Sequence, residues 1–114
     1  MNYQQRDLVY VEQALPSGEV QKHPFLIISC RAASSKEAYH TAVMMTASSY
    51  TDQFTFKVED DMFESPLRKQ NCQLRLYILV SFAETKSKEL VTRMKKVHFK
   101  NVVQQIKDYV LAVD

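Results

Sequence analysis

Apolar residues occur along this chain mainly in short runs, a pattern typical of β-strands. The run at residues 25–28 has no polar alternation, so we expect both faces of this strand to be buried, as in a central strand. Pro24 has no N–H to donate to a neighbouring strand, and it is therefore predicted to mark the point where pairing begins. Lys22 and His23 would then lie at the mouth of this strand, solvated but held by a rigid element.

Shorter segments that are β-branched, aromatic or alternating predict further strands at residues 7–11, 41–46, 54–58, 74–80 and 90–94. In the third of these, Phe54, Phe56 and Val58 are expected to be buried, with the intervening polar residues solvated. In the fourth, Leu74, Leu76, Ile78 and Val80 are expected to share one face, with Gln73 and Arg75 on the other. The strand predicted at residues 41–46 ends on Thr46, which would approach His23 if the two strands pair antiparallel.

The remaining segments predict loops and one long helix. Residues 12–21 are expected to form a surface loop around the turn residues Leu15-Pro16-Ser17-Gly18-Glu19. A short helical turn within residues 31–39 is expected to be capped by Ser34 or Ser35. From His98 onward the apolar residues recur at helical spacing, at Phe99, Val102, Val103, Ile106, Tyr109, Val110 and Val113. The pattern predicts a mostly β domain over residues 1–114, a twisted or barrel-like sheet with one packed terminal helix.

Composition and charge add limited information. The polar N-terminus lacks an apolar signal core, and no run approaches the ~18 apolar residues of a membrane helix, so we expect a cytoplasmic protein. Cys30 and Cys72 are expected to be free thiols. The charge is polarised between an acidic cluster and a basic stretch. The acidic cluster consists of Glu59, Asp60, Asp61 and Glu64, and the basic stretch consists of Lys86, Lys88, Arg93, Lys95, Lys96 and Lys100. The basic stretch could follow RNA phosphates, dock an acidic protein or be a solvated face.

Several short motifs together resemble the MazF/PemK toxins, the ribonucleases of bacterial toxin–antitoxin pairs. These motifs are residues 6–11 (RDLVYV), residues 22–29 (KHPFLIIS), residues 43–46 (VMMT) and residues 73–76 (QLRL). The resemblance implies a small SH3-like barrel of five to seven strands with a C-terminal helix, usually a homodimer. It also implies a metal-independent endoribonuclease without cofactors that cuts single-stranded RNA, including mRNA, through its 2′-hydroxyl. An acidic antitoxin would neutralise it, and the toxin–antitoxin complex would bind DNA.

The resemblance also points to a catalytic pair, an arginine just before the proline and a threonine at the end of the following strand. The threonine position falls on Thr46, whereas the arginine position falls on His23. Histidine titrates near neutrality, so His23 is expected to transfer a proton or to stabilise charge. Lys22 would supply the missing positive charge, and Thr46 would donate a hydrogen bond to a phosphoryl oxygen.

Further candidates for substrate contact are hydroxyl and cationic side chains on the same predicted strands and loops, namely Ser17, Ser29, Ser48 and Arg75 together with Lys22. Tyr39 and Tyr50 lie near loops where an unstacked base could stack. No metal site is assigned, because consecutive acidic residues cannot all point one way and the histidines lack partners at metal-ligand spacing.

Two alternatives remain open on the sequence. One is a non-catalytic member of the same fold that binds RNA or an antitoxin without cutting. The other is a gyrase poison of the CcdB type, which is weakened because the chain contains no tryptophan.

Overall fold

The computed structural model describes residues 1–14, 17–67 and 69–114, with six strands and two helices among them. The strands are β1 (Asp7–Ala14), β2 (Val20–Ile27), β3 (Tyr39–Ala47), β4 (Thr55–Lys57), β5 (Cys72–Ala83) and β6 (Ser87–Arg93). The helices are α1 (Arg31–Ser34) and α2 (Lys96–Gln105). All six strands belong to one antiparallel sheet in the order β4-β5-β3-β2-β1-β6. The prediction of a mainly β fold with a C-terminal helix is confirmed.

The segment after β4 draws the two edges of the sheet together. Phe63 forms an isolated antiparallel bridge with Met94, just beyond β6. The Glu64 N–H donates to the Arg93 carbonyl at 2.9 Å, and the Lys95 N–H donates to the Met62 carbonyl at 2.8 Å. The sheet is therefore curled toward closure, as the barrel-like expectation requires.

The central position of β2 is confirmed by burial on both of its faces. Leu26 is fully buried in the cluster that packs against α2, whereas Phe25 and Ile27 are buried in a second cluster on the opposite face. Ile28 lies just beyond the strand and is half-buried.

Pro24 was predicted to mark the point where strand pairing begins, which is wrong for β1 and right for β3. Pairing with β1 continues past Pro24 to Val20, so the loop predicted at residues 12–21 is much shorter. Pairing with β3 ends at Phe25. The Ile27 carbonyl accepts a hydrogen bond from the Arg6 N–H, on the β1 side. Successive residues of a strand direct their backbone groups to alternate sides, so Pro24, three residues earlier, directs its backbone nitrogen toward β3. The missing N–H therefore interrupts only the β2–β3 ladder, and His23 lies within a strand rather than at its mouth.

Two of the predicted burial patterns are also wrong. Thr55 is buried instead of solvated, because its hydroxyl donates to the Asp52 carbonyl and accepts the Asp52 N–H. The face of β5 that Leu74 and Val80 were predicted to share is interrupted by a shift in the pairing register. Met44 pairs with Arg75, but the adjacent Val43 pairs with Leu79. The residues between these partners form a bulge, which redirects the side chains that follow it.

Helix α2 is confirmed, although its apolar face is shorter than predicted. Phe99, Val102 and Ile106 are buried, whereas Tyr109 and Val113 are exposed. The last turn widens to π-helical bonding, in which the Leu111 N–H donates to the Ile106 carbonyl at 2.9 Å. No helix in the described part of the chain is long and apolar enough to cross a membrane.

The short elements differ from the predictions in detail. Helix α1 has Cys30 at its N-cap position without a side-chain cap bond, so capping of its N-terminal end by Ser34 or Ser35 is wrong. Ser35 caps the C-terminal end instead, where its hydroxyl donates to the Arg31 carbonyl at 2.7 Å. Both cysteines are free, with Cys30 exposed and Cys72 buried. In the predicted turn, Leu15 and Pro16 lie outside the described residues, and Gly18 adopts φ +87°, a conformation that glycine reaches without strain.

An ion pair with a buried carboxylate links β1 to β6. Asp7 is buried, and its Oδ1 accepts a hydrogen bond from Arg93 Nε at 2.7 Å, while its Oδ2 accepts the Gln4 N–H at 2.9 Å. The bond that Arg93 donates to Asp7 raises the pKa of the guanidinium. The Arg93 side chain is 30% exposed, so solvent screens this pair more than a fully buried one.

We expect Arg93→Met to lower the free energy of unfolding by about 2 kcal/mol, because it leaves a buried carboxylate without its cation. Lys88→Met is the matched control, since it removes an exposed pair with Glu12 at 3.9 Å and is expected to cost under about 0.5 kcal/mol. Urea denaturation measures both, and equal losses would contradict this interpretation.

Candidate active site

The candidate site lies where β2 and β3 separate. Pairing runs from Ile27 opposite Ala42 to Phe25 opposite Met44, and then ends. Continued in the same register, the two strands would set His23 directly opposite Thr46, with both side chains on the face that carries Phe25 and Met44. The strands separate instead, and a cleft opens between these two residues.

This main cleft has a volume of about 490 Å³ and brings the three principal candidates together. His23, Lys22 and Thr46 all line it, with Tyr10, Leu67 and Leu90 supplying apolar walls. His23 and Thr46 are half-buried, and Lys22 is exposed. Residues that carry an imidazole, a hydroxyl and an ammonium group thus line one cleft, as expected for a small-molecule or nucleotide site. Lys22 is next to His23 on β2, so its side chain alternates to the other face of the strand.

Sequence reasoning missed several groups that line the same cleft. Lys69 adds a second ammonium group and Glu89 adds a carboxylate. Burial raises the pKa of the Cys72 thiol, and Lys69 opposes that rise. Lys69 follows a proline in a polar turn and Glu89 lies within a basic stretch, so neither carried a distinctive signal in the sequence.

Arg75 reaches Thr46 from the other side of β3. Its Nε donates a hydrogen bond to Thr46 Oγ1 at 3.2 Å. Arg75 and Ser48 line a second cleft of about 440 Å³, together with Tyr50, Phe54, Gln73 and Tyr77. Two further predicted contact residues therefore lie next to the main cleft rather than in it.

Ser17 and Ser29 are not brought to either cleft. Ser17 is exposed, and its hydroxyl accepts the Glu19 N–H at 3.4 Å. The Ser29 hydroxyl lies 2.8 Å from Ser34 Oγ and accepts the Thr41 N–H at 3.0 Å. Ser29 follows the far end of β2, six residues from His23 or roughly 20 Å along an extended chain. Its role in the structure is to join α1 to β3.

The buried His40 extends the Ser29–Ser34 contact into a polar network. Its Nδ1 lies 3.2 Å from Ser34 Oγ, and its Nε2 lies 2.8 Å from Glu84 Oε1. This network is separate from the main cleft, and both ring nitrogens of His40 have a protein partner, as buried polar groups require.

The charged stretches are divided among different elements. Lys88 and Arg93 lie in β6 and already face Glu12 and Asp7. Of the other basic residues, Lys96 and Lys100 lie in α2, and Lys86 and Lys95 lie just before β6 and α2. Among the residues that the structure describes, no group of three or more His, Cys, Asp or Glu is placed to hold a metal ion.

The fold is shared with known proteins at very low sequence identity. No family model matches the sequence, and no curated protein is significantly similar to it. A chain of the MazE–MazF crystal structure (Form-II) from Deinococcus radiodurans is 12% identical, with 99% of each chain covered and a TM-score of 0.76. An endoribonuclease in complex with its cognate antitoxin, from a mycobacterial species, is 9% identical, with 98% of each chain covered and a TM-score of 0.75.

A third solved structure gives the same result. The Mycobacterium tuberculosis toxin MazF-mt6 is 9% identical, covering 96% of this chain and 100% of that chain, with a TM-score of 0.74. At these identities the likeness shows the fold, and the chain has the fold of the MazF toxins.

Proposed function

We propose that this chain is a toxin-type, metal-independent endoribonuclease that cuts single-stranded RNA, with the main cleft as its active site. The observation that carries the proposal is the convergence of His23 and Thr46 on one cleft, at the point where β2–β3 pairing ends. Solved proteins of the same fold that are named endoribonucleases add support. An RNA substrate of this kind is consistent with a cytoplasmic location.

In this mechanism His23 accepts the proton of the ribose 2′-hydroxyl. The 2′-oxygen then forms a bond to the neighbouring phosphorus, and the bond from phosphorus to the 5′-oxygen breaks. The products are a 2′,3′-cyclic phosphate and a 5′-hydroxyl, which takes up a proton. General acid–base catalysis by one positioned side chain typically contributes about 10²–10⁴ in rate.

Thr46 donates a hydrogen bond to a phosphoryl oxygen, and Arg75 determines the direction of that bond. Arginine nitrogens only donate, so in the bond between Arg75 Nε and Thr46 Oγ1 the hydroxyl is the acceptor. The Thr46 proton therefore remains free to point toward substrate. The guanidinium also places a permanent positive charge beside the reacting phosphate, where Lys22 supplies a second one.

The proposed cellular partner is an acidic antitoxin protein. Two of the solved structures with this fold are complexes, one of MazF with MazE and the other of an endoribonuclease with its cognate antitoxin. The exposed Lys95, Lys96 and Lys100 are available to such a segment. A homodimer, and DNA binding by the toxin–antitoxin complex, stay predictions from the resemblance.

Incubation of the purified protein with a long unstructured RNA in EDTA tests the proposal. We expect endonucleolytic cutting to persist in the chelator, leaving 3′ ends that are cyclic phosphates, because no step requires a metal. Tight binding of intact RNA would instead favour the non-catalytic alternative. Cleaved DNA trapped with gyrase would favour the poison, and either result would overturn the proposal.

A further inference from the structure

The second cleft presents two aromatic side chains to solvent. Tyr50 is 69% exposed and Tyr77 is 53% exposed, and both line this cleft of about 440 Å³. Exposed tyrosines retain a large apolar surface in water, so burying them against a flat partner is favourable. Phe54, half-buried, extends the apolar lining.

The position of Tyr77 is a consequence of the bulge in β5. Arg75 pairs with Met44 and Leu79 pairs with the adjacent Val43, so Tyr77 lies in the segment that has no partner on β3. Within the same segment Leu76 is buried, and its N–H donates to the Phe54 carbonyl at 2.9 Å. The buried Leu76 anchors the bulge while its neighbour Tyr77 is presented at the surface.

Gln73 gives the second cleft an unsatisfied hydrogen-bonding group. Gln73 lines the cleft and is 2% exposed, and its Oε1 has no partner among the described residues. A buried acceptor without a donor is destabilising, and an N–H of a ligand that reached it would supply the missing hydrogen bond. An amide in an aromatic-lined cleft is suited to the edge of a nucleobase, which presents N–H groups in the plane of a stacking surface.

The second cleft adjoins the main cleft at the hydrogen bond between Arg75, which lines the second cleft, and Thr46, which lines the main one. Gln73 stands directly opposite Thr46 in the β3–β5 register, on neighbouring strands about 5 Å apart, and Arg75 Nε bonds Thr46. Gln73 and Arg75 are two residues apart in β5, so they share the face of the sheet that carries Thr46. A strand that places its phosphate at Thr46 can therefore place a neighbouring base in the second cleft.

We propose that the second cleft binds one nucleobase of the RNA strand whose phosphate occupies the main cleft, an inference that rests on the proposed function. Tyr50 and Tyr77 supply the stacking surfaces, Gln73 reads the base edge, and Arg75 spans base and phosphate. Stacking on aromatic side chains stabilises single strands on proteins and can therefore influence where a strand is held. Both tyrosines and Gln73 are therefore specificity residues rather than catalytic ones.

Binding of a 2′-O-methylated single-stranded RNA tests the inference without any cleavage, because the methyl group removes the nucleophile. We expect Tyr50→Ala and Tyr77→Ala each to weaken binding by about tenfold in fluorescence anisotropy. Tyr109→Ala is the matched control, since Tyr109 is 50% exposed near the C-terminus and is not among the residues described as lining either cleft; the affinity of this variant should equal the parent's.

Gln73→Leu supplies a second measurement, because it replaces the unpartnered amide by an apolar side chain of similar size. We expect this variant to bind RNA while losing the parent's preference among oligoadenylate, oligocytidylate and oligouridylate. If both tyrosine variants bind an RNA as tightly as the parent does, the inference is overturned and the proposed function still stands. This holds even if the same variants lose the binding of a protein partner. Absence of RNA binding by the parent would overturn both.

Discussion

Replacing His23 by alanine is expected to lower the rate of RNA cleavage by about 10²–10⁴-fold, the contribution typical of a positioned general acid or base. His23 is half-buried where β2 has left β3, so the strand fixes its backbone while the residue lines the cleft. Single-turnover kinetics with saturating RNA measure the chemical step. The affinity for 2′-O-methylated RNA should change much less than the rate, because the cations of Lys22, Lys69 and Arg75, which line the two clefts, are retained.

The matched control is His98→Ala. His98 is also half-buried, but it lies on α2 and is not among the described residues that line either cleft. This variant should cut at the parent rate. Equal losses in the two variants would indicate an effect on folding and would remove His23 from the mechanism.

His23→Arg separates proton transfer from charge stabilisation. Arginine stays charged at ordinary pH, so it can stabilise a phosphorane but is a poor proton acceptor. If His23 transfers a proton, the arginine variant loses most of the cleavage rate, because arginine cannot take up the proton of the 2′-hydroxyl. If charge alone matters, the arginine variant cuts as fast as the parent.

Much of the fold could be predicted from the sequence, because local patterns carried it. The continuous apolar run at residues 25–28 correctly indicated a central strand, and the helical spacing from Phe99 to Ile106 correctly indicated α2. The patterns failed where long-range contacts decided the outcome. Pro24 limits pairing on one side of β2 only, and that side depends on the position of β3.

The site was predictable only in part, for a similar reason. His23 and Thr46 are far apart in sequence. Antiparallel pairing of their two predicted strands would bring them together, and the resemblance to a known toxin family pointed to the same two positions. The contact between Arg75 and Thr46, and the exposure of Tyr77, both depend on the register shift in β5. A bulge inserts residues without a distinct composition, so alternation counted along β5 assigned its later side chains to the wrong face.

Thr46→Val is expected to slow cleavage by about 10²-fold, because valine matches threonine in shape but cannot donate a hydrogen bond to the phosphoryl oxygen. A single well-placed donor contributes about 3 kcal/mol to transition-state stabilisation. The substitution also removes the acceptor of Arg75 Nε, but Arg75 is only partly buried, so water can replace the lost partner. We therefore expect the rate to fall while RNA affinity and thermal stability change little.

Thr41→Val is the matched control for this variant. Thr41 is a half-buried threonine on the same strand, and its Oγ1 lies 3.2 Å from Ser81 Oγ. Thr41 lies toward the other end of β3, so removing its hydroxyl should leave the rate of RNA cleavage unchanged. A Thr46 variant that cuts at the parent rate would show that no hydroxyl is needed at this position, and the charges of Arg75 and Lys22 would then have to stabilise the phosphorane alone.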